Sequence, residues 1–389
     1  YVPPPKPPSV PNPAKEYIAN TQSIQPAPNN AQHSGGGSNV AAQPQWNWST
    51  TYGAGSTTNA PTFTKPAALT LEIWGNLVLS PALNPNIRVA FMGPANATFT
   101  PANATLGTFS MDIIKPIGSS LTFTQDYNNP NAVIVLNSGG LNLNGRTITA
   151  SVINDNSSTQ ATSIDIRNAN ITANWQYTGS NKTLQAAGSN IKAGIFRVNA
   201  GAYDKVEVLT TSSSNVAILS TTIADLLFSN AASTSQAYIG ANNTIGRLEF
   251  KGKGAISGTG NTIETLIFAP GKVYTFLSGS TTTITKDWFG SGTPCNLTEI
   301  NSSATGAFTV NKTTGNVEFD YVRLRNITAT GITPFKALEH SEDLGGNTNW
   351  SILPYNNTTP ILGLGADKTL CADAFPYTIK TDGFFASPM

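Results

Sequence analysis

Charge is the first thing this chain is short of. Asp, Glu, Lys and Arg make up 11% of its 389 residues, less than half the roughly 25% of an ordinary soluble domain. The 22 basic and 21 acidic side chains nearly cancel, leaving a net charge of +1, and the basic ones do not cluster. A nucleic-acid surface needs a basic stripe to neutralise phosphates, so that class of partner is excluded. Long hydrophobic runs are missing too. The longest, such as Ala132 to Leu136, are strand-length against the ~18 residues of a membrane-spanning helix, so the chain is not expected to span a membrane. Cysteine is scarce: Cys295 and Cys371 are the only two, too few for a disulfide scaffold. A bridge between them, free thiols, and a partner outside the chain are all compatible with their spacing. The opening residues YVPPPKPPSVPNP are not a signal peptide, so any export signal is expected to have been removed or to lie outside this chain. The common catalytic phrases are absent as well: there is no Gly-x-Ser-x-Gly, no Gly-x4-Gly-Lys, no His-Glu-x-x-His and no Cys-x-x-Cys.

What fills the place of charge is Asn, Thr, Ser, Gly and Ala. Ser, Thr and Asn compete for backbone hydrogen bonds inside a helix, and Gly costs entropy there, whereas all suit β-surfaces and turns. The expected class is mainly β, and this low-charge texture points outside the cell. Residues 1–43 run from Pro-rich to Gly/Ser/Asn/Gln-rich, including Gly35, Gly36 and Gly37, and read as an extended arm or linker. Over 44–131, short apolar runs such as LTLEIWGNLVL (69–79) and TFSMDII (108–114) predict strands of a smaller sandwich-like or capping β-domain.

From about Ala132 the texture becomes repetitive. Residues 222–228 read TIADLLF, 244–250 TIGRLEF and 262–268 TIETLIF, a shared Thr-Ile-x-x-Leu-x-Phe at a period near 20, which signals a solenoid. Leu and Phe, two apart, share one face of a strand. Ile lies three before Leu and would face the other way on a straight strand, so a bend between them is expected to turn all three inward. A strand, a bend and a second strand in about 20 residues make one coil of a parallel β-helix, right-handed by the general preference of parallel crossovers. Phe228, Phe250 and Phe268 should then form one internal column at ~4.8 Å per step. The β-helix is expected over 132–355, with roughly ten coils.

An enzyme on such a scaffold needs paired carboxylates about 5–9.5 Å apart. In coil register Asp225 aligns with Arg247 and Thr265, Glu249 with Leu227 and Ile267, and Glu264 with Ala224 and Gly246. No column pairs carboxylates, and Asp225 beside Arg247 predicts an exposed cross-coil ion pair. His33 and His340 are far apart. Glu339, Glu342 and Asp343 crowd around His340, but without the Asp-x-Asp-x-Asp spacing of a calcium loop they read as a polar closing loop. DYNNPN (126–131) reads as a turn cluster. Asn-x-Ser/Thr triplets such as those at Asn96, Asn103 and Asn326 arise readily in a chain this rich in Asn and Thr. Trp46, Trp48, Trp175, Tyr177 and Trp288 are candidates for stacking on sugars, with burial at least as good an account of each. No catalytic, cofactor-binding or metal-ligating residue is assigned.

The segments KVYTFLSGSTTTITKDWFGSGTPCNLTEINSS (272–303), FDYVRLRNITATG (319–331) and EDLGGNTNWSI (342–352) resemble β-helical parts of very large Bacteroidota cell-surface proteins exported by the type IX secretion system. The nearest in style are gliding-motility adhesins of the SprB type. LGLGADKTLCADAFPYTIKTDG (362–383) resembles the start of the Ig-like modules that follow in such proteins, so 356–389 is expected to be a linker and the beginning of one, and the chain a fragment of a larger protein. The resemblance spans about residues 262–389. It implies a non-catalytic, outer-membrane-associated surface adhesin or gliding-motility stalk. Its arm would dock to motility or secretion machinery and its surface would meet an extracellular polysaccharide or substratum. A polysaccharide-binding or polysaccharide-cleaving β-helix and a filament or sheath subunit are the alternatives.

Overall fold

The computed structural model describes residues 70–353 apart from 80–87, 102–106, 156–158, 211–214, 233–234 and 332–333. The arm at 1–43, the expected Ig-like start at 356–389, and Trp46, Trp48, Cys371 and His33 therefore lie outside the described residues. Those described form strands and turns with no helix. The chain divides into two compact units at Lys192/Ala193, and each is a parallel β-solenoid, with about 12 turns in all.

In the second unit the repeated phrase sets the register. Strands Thr222–Phe228, Thr244–Phe250 and Asn261–Phe268 pair in parallel, aligning Ile223 with Ile245 and Ile263, Leu226 with Leu248 and Leu266, and Phe228 with Phe250 and Phe268. All nine side chains are buried. The Leu column runs on into Trp288 and the Ile column into Ile284. The predicted bend falls between Ile and Leu, where Ala224 and Asp225 both turn outward. At the equivalent point of the next coil stands Gly246, where a Cβ would lie 2.5 Å from the Ala224 carbonyl oxygen. The coils approach so closely at this bend that only hydrogen fits.

The corner before each of these strands explains the composition. Ser220 and Asn242 have φ of 50° and 58° and are followed by Gly260 at 75°. In the first unit Asn144 and Asn168, at 52° and 58°, hold the same kind of corner. Asn and Gly tolerate this left-handed conformation best, so a chain that turns a corner in every coil accumulates both. Immediately after the corner the side chain points inward and needs an internal partner. Asn261 donates to the Gly240 and Gly258 carbonyls and accepts from Asn243, whose own Oδ1 accepts the Thr221 N–H. The result is a polar spine that ties three coils together. At the next coil Thr282 aligns with Asn261, but its fully buried hydroxyl has no partner. Burying an unsatisfied polar group is unfavourable by ~1–3 kcal/mol, so Thr282→Val is expected to raise stability, by about 1 kcal/mol in urea denaturation. A loss of stability would show that the hydroxyl is used.

The first unit corrects the expectation for residues 44–131. Over the described part there is no antiparallel sandwich. Thr70–Ile73, Arg88–Phe91, Ser110–Ile114 and the Tyr127–Asn142 strand pair in parallel, aligning Ile73, Phe91, Ile113 and Leu136. A second sheet aligns Leu77 with Phe99 and Phe123 in the same way. The coils therefore begin by Thr70, well before 132. Their interior is aromatic: Phe99 packs against Phe91, Phe109, Phe123 and Tyr127 at 5.2–6.2 Å between ring centroids. The DYNNPN turn cluster is also corrected. Tyr127 to Pro130 belong to a strand that slips register between Asn129 and Val133, and buried Asn129 holds the bulge by donating to the Gly107 carbonyl.

Candidate functional site

The outward face of the second unit carries a connected cluster of charges. Asp225, Arg247 and Glu249 come from two adjacent strands. The sheet register aligns Asp225 with Arg247, and they pair at 3.1 Å, the expected cross-coil contact. Glu249 lies two residues beyond Arg247 on the same face and pairs with it and with Lys251. Two carboxylates thus meet one guanidinium, an arrangement the column alignment missed because it compared only residues directly opposite. The signal was present in the i, i+2 spacing, which puts Arg247 and Glu249 on one side of the strand.

The chemistry of this cluster is that of neutralisation. Glu249 is mostly buried, which works to raise its pKa, but hydrogen bonds and charge from Lys251 and Arg247 overcome burial and hold it below the usual carboxylate range. A general acid in glycoside cleavage needs the opposite shift. Nearby, Glu264 pairs with Lys286.

The loop around His340 disperses its acids. Glu342 pairs with Arg323 at 2.8 Å, and Asp343 accepts from the Gly345 N–H and the Asn347 amide. His340 lies instead against Asp320, Nδ1 to Oδ2 at 2.9 Å, and stacks on Tyr321 with ring centroids 4.5 Å apart. Among the described residues, no three His, Cys, Asp or Glu side chains converge as a metal site. No helix among them is long and apolar enough to cross a membrane.

The three aromatic candidates among the described residues are interior. Trp175, Tyr177 and Trp288 are at most 5% exposed and fill the core, so none presents a face to a sugar. Among the described residues the exposed tryptophan is Trp74, which no sequence argument singled out. It lies against Gly93, where a Cβ would come within 3.0 Å of its ring. Cys295 is disulfide-bonded.

These features define a parallel β-solenoid with neutralised outer charges and apolar internal columns. No protein-family model matches the chain, and neither the curated proteins nor the solved structures compared with it include a match.

Proposed function

We propose that the chain is a non-catalytic, β-helical stalk of a cell-surface adhesin, serving surface attachment or gliding motility. The resemblance over 262–389 supplies the adhesin class, the outer-membrane location and type IX export as parts of that reading. The Pro-rich arm at 1–43 is assigned to docking on motility or secretion machinery. One observation carries the mechanical role: uninterrupted internal columns, such as Ile223–Ile245–Ile263–Ile284, in which each coil is held by its neighbours. A solenoid built this way transmits load from coil to coil, and a display stalk needs no more chemistry than that. The neutralised Asp225–Arg247–Glu249 cluster supports the non-catalytic part.

Two measurements test the proposal. Antibody against the purified chain should label intact, unpermeabilised cells of the source strain, and labelling only after permeabilisation would sink the surface assignment. The purified chain should release no reducing ends or unsaturated uronates from polysaccharides. Release that disappears in Asp225→Asn or Glu249→Gln would make it an enzyme.

A further inference from the structure

On one outward face of the first unit, the stacked coils leave a hollow. Parallel pairing sets Ser120, Gly140, Ser163 and Thr183 in one column, and Thr122, Asn142, Asp165 and Gln185 in a second column two residues further along each strand. Both face outward, while the residues between them, including Leu141 and Ile164, face the core. A depression of about 230 Å³ lies along these two columns, edged by Ser120, Ser163, Thr183, Asn142, Asp165 and Gln185. A Cβ on Gly140 would stand 2.8 Å from Ser163 Oγ and 2.9 Å from the Ser120 Cβ, so glycine at this position lets the two serines that edge the hollow close over the strand between them.

Four of the six side chains at its edge have hydrogen-bonding capacity to spare, while Ser120 Oγ donates to Asn96 Oδ1 at 3.4 Å. The side chains of Ser163, Thr183 and Gln185 make no hydrogen bond within the described residues, and Asn142 uses only its Oδ1, accepting the Asn144 N–H at 2.7 Å. The single carboxylate, Asp165, is held by Arg167 in two contacts of 3.0 and 2.6 Å, so the pair adds no net charge. What remains is a shallow, uncharged hollow edged by free hydroxyls and amides. It lacks the free cation that would select a phosphate or sulfate and the carboxylate set that would hold a hard metal ion, and the two large apolar residues in its lining, Leu141 and Ile164, are too few for a lipid or drug-like site.

We infer that this hollow binds a sugar ring of a neutral polysaccharide, the hydroxyls of the ring exchanging hydrogen bonds with Ser163, Thr183, Asn142 and Gln185. One open hollow of this size binds weakly, and useful attachment comes from many copies engaging one polymer. The inference gives the adhesin reading a ligand, yet it is tested on the purified chain. It can fail while surface labelling succeeds, and the reverse.

The test is affinity electrophoresis of the full chain in native gels containing dextran, galactan or mannan, with alginate as an anionic comparison. Retardation is expected in at least one neutral gel and should be lost in Ser163→Ala/Gln185→Ala, whose altered side chains are exposed, at an unchanged melting temperature. Trp74→Ala, outside the hollow, should keep it. Absence of retardation in all three neutral gels, retention in the Ser163/Gln185 variant, loss on Trp74→Ala, or retardation by alginate alone would each overturn the proposal.

Discussion

Phe250→Ala is expected to destabilise the chain by about 3–5 kcal/mol, the usual cost of emptying a buried aromatic site. Phe250 is the middle ring of its column. It stacks on Phe228 at 5.0 Å with the rings nearly parallel, meets Phe268 at 6.0 Å and touches Tyr274 at 5.9 Å. The space it leaves cannot close easily, because its strand is hydrogen-bonded to a coil on each side and the facing rings are held by their own coils. The control lies on the same sheet. Phe289 is aligned with Ile267 on the outward face and is 56% exposed, so Phe289→Ala should change stability by no more than ~0.5 kcal/mol. Urea denaturation of the two variants separates the cases. A cost below ~1 kcal/mol for Phe250→Ala would mean that the column is not what holds the second unit together.

That column was legible in the sequence for a specific reason. Thr-Ile-x-x-Leu-x-Phe recurs with the same residue types, so period, parity and the inward bend could all be read from three lines of text. The first unit uses the same spacing without the same words. Ile73, Phe91, Ile113 and Leu136 are aligned at steps of 18, 22 and 23 residues (91 − 73, 113 − 91, 136 − 113). The steps for Phe228, Phe250 and Phe268 are 22 and 18. A parallel coil asks only for an apolar side chain at each inward position, and any of Ile, Phe, Leu or Met meets that need. Where residue identity drifts, the period stays in the structure but leaves the text. This is why 70–131 reads as separate strands of a sandwich.

The outward face was read less well, for a related reason. Aligning coils found the Asp225–Arg247 pair because those residues are directly opposite. It passed over Glu249 because side chains as long as Arg and Glu also meet along a strand. The hollow edged by Ser120, Ser163 and Gln185 was invisible from composition. It depends on residues that successive strands bring together at steps of 20 and 23 (140 − 120, 163 − 140), and no repeated phrase in that region fixes the register. Trp175 and Trp288 are buried, the outcome that the sequence leaves open beside sugar stacking. In a narrow solenoid the large rings are used as core, and the outward face is left to small polar residues.

The second large effect is a loss of stability above pH 10. Burial raises the phenol of Tyr177 to about 12 and moves those of Tyr127 and Tyr274 upward as well. Two of them also donate their O–H to backbone carbonyls, Tyr177 to Thr183 and Tyr274 to Ala269, bonds that a phenolate cannot make. In the unfolded chain these groups ionise near pH 10. Above that pH the folded state keeps protons that the unfolded state has released, so their contribution is complete below pH 10 and disappears as pH climbs through the folded values. Each such group removes at most ~1.4 kcal/mol per pH unit, so three acting together remove at most about 4. Lys182 acts in the opposite sense at lower pH. Burial pushes its ammonium down to about 8, so between there and its unfolded value the unfolded chain holds the extra proton and stability rises with pH. The expected profile of melting temperature is a shallow climb from pH 8 to about 10 followed by a steep fall. Tyr274→Phe should make the fall shallower by one group's share, although it costs the bond to Ala269 at every pH. A melting temperature that stays level to pH 12 would show that these phenols ionise as freely in the fold as out of it, and that the columns they line are open to water.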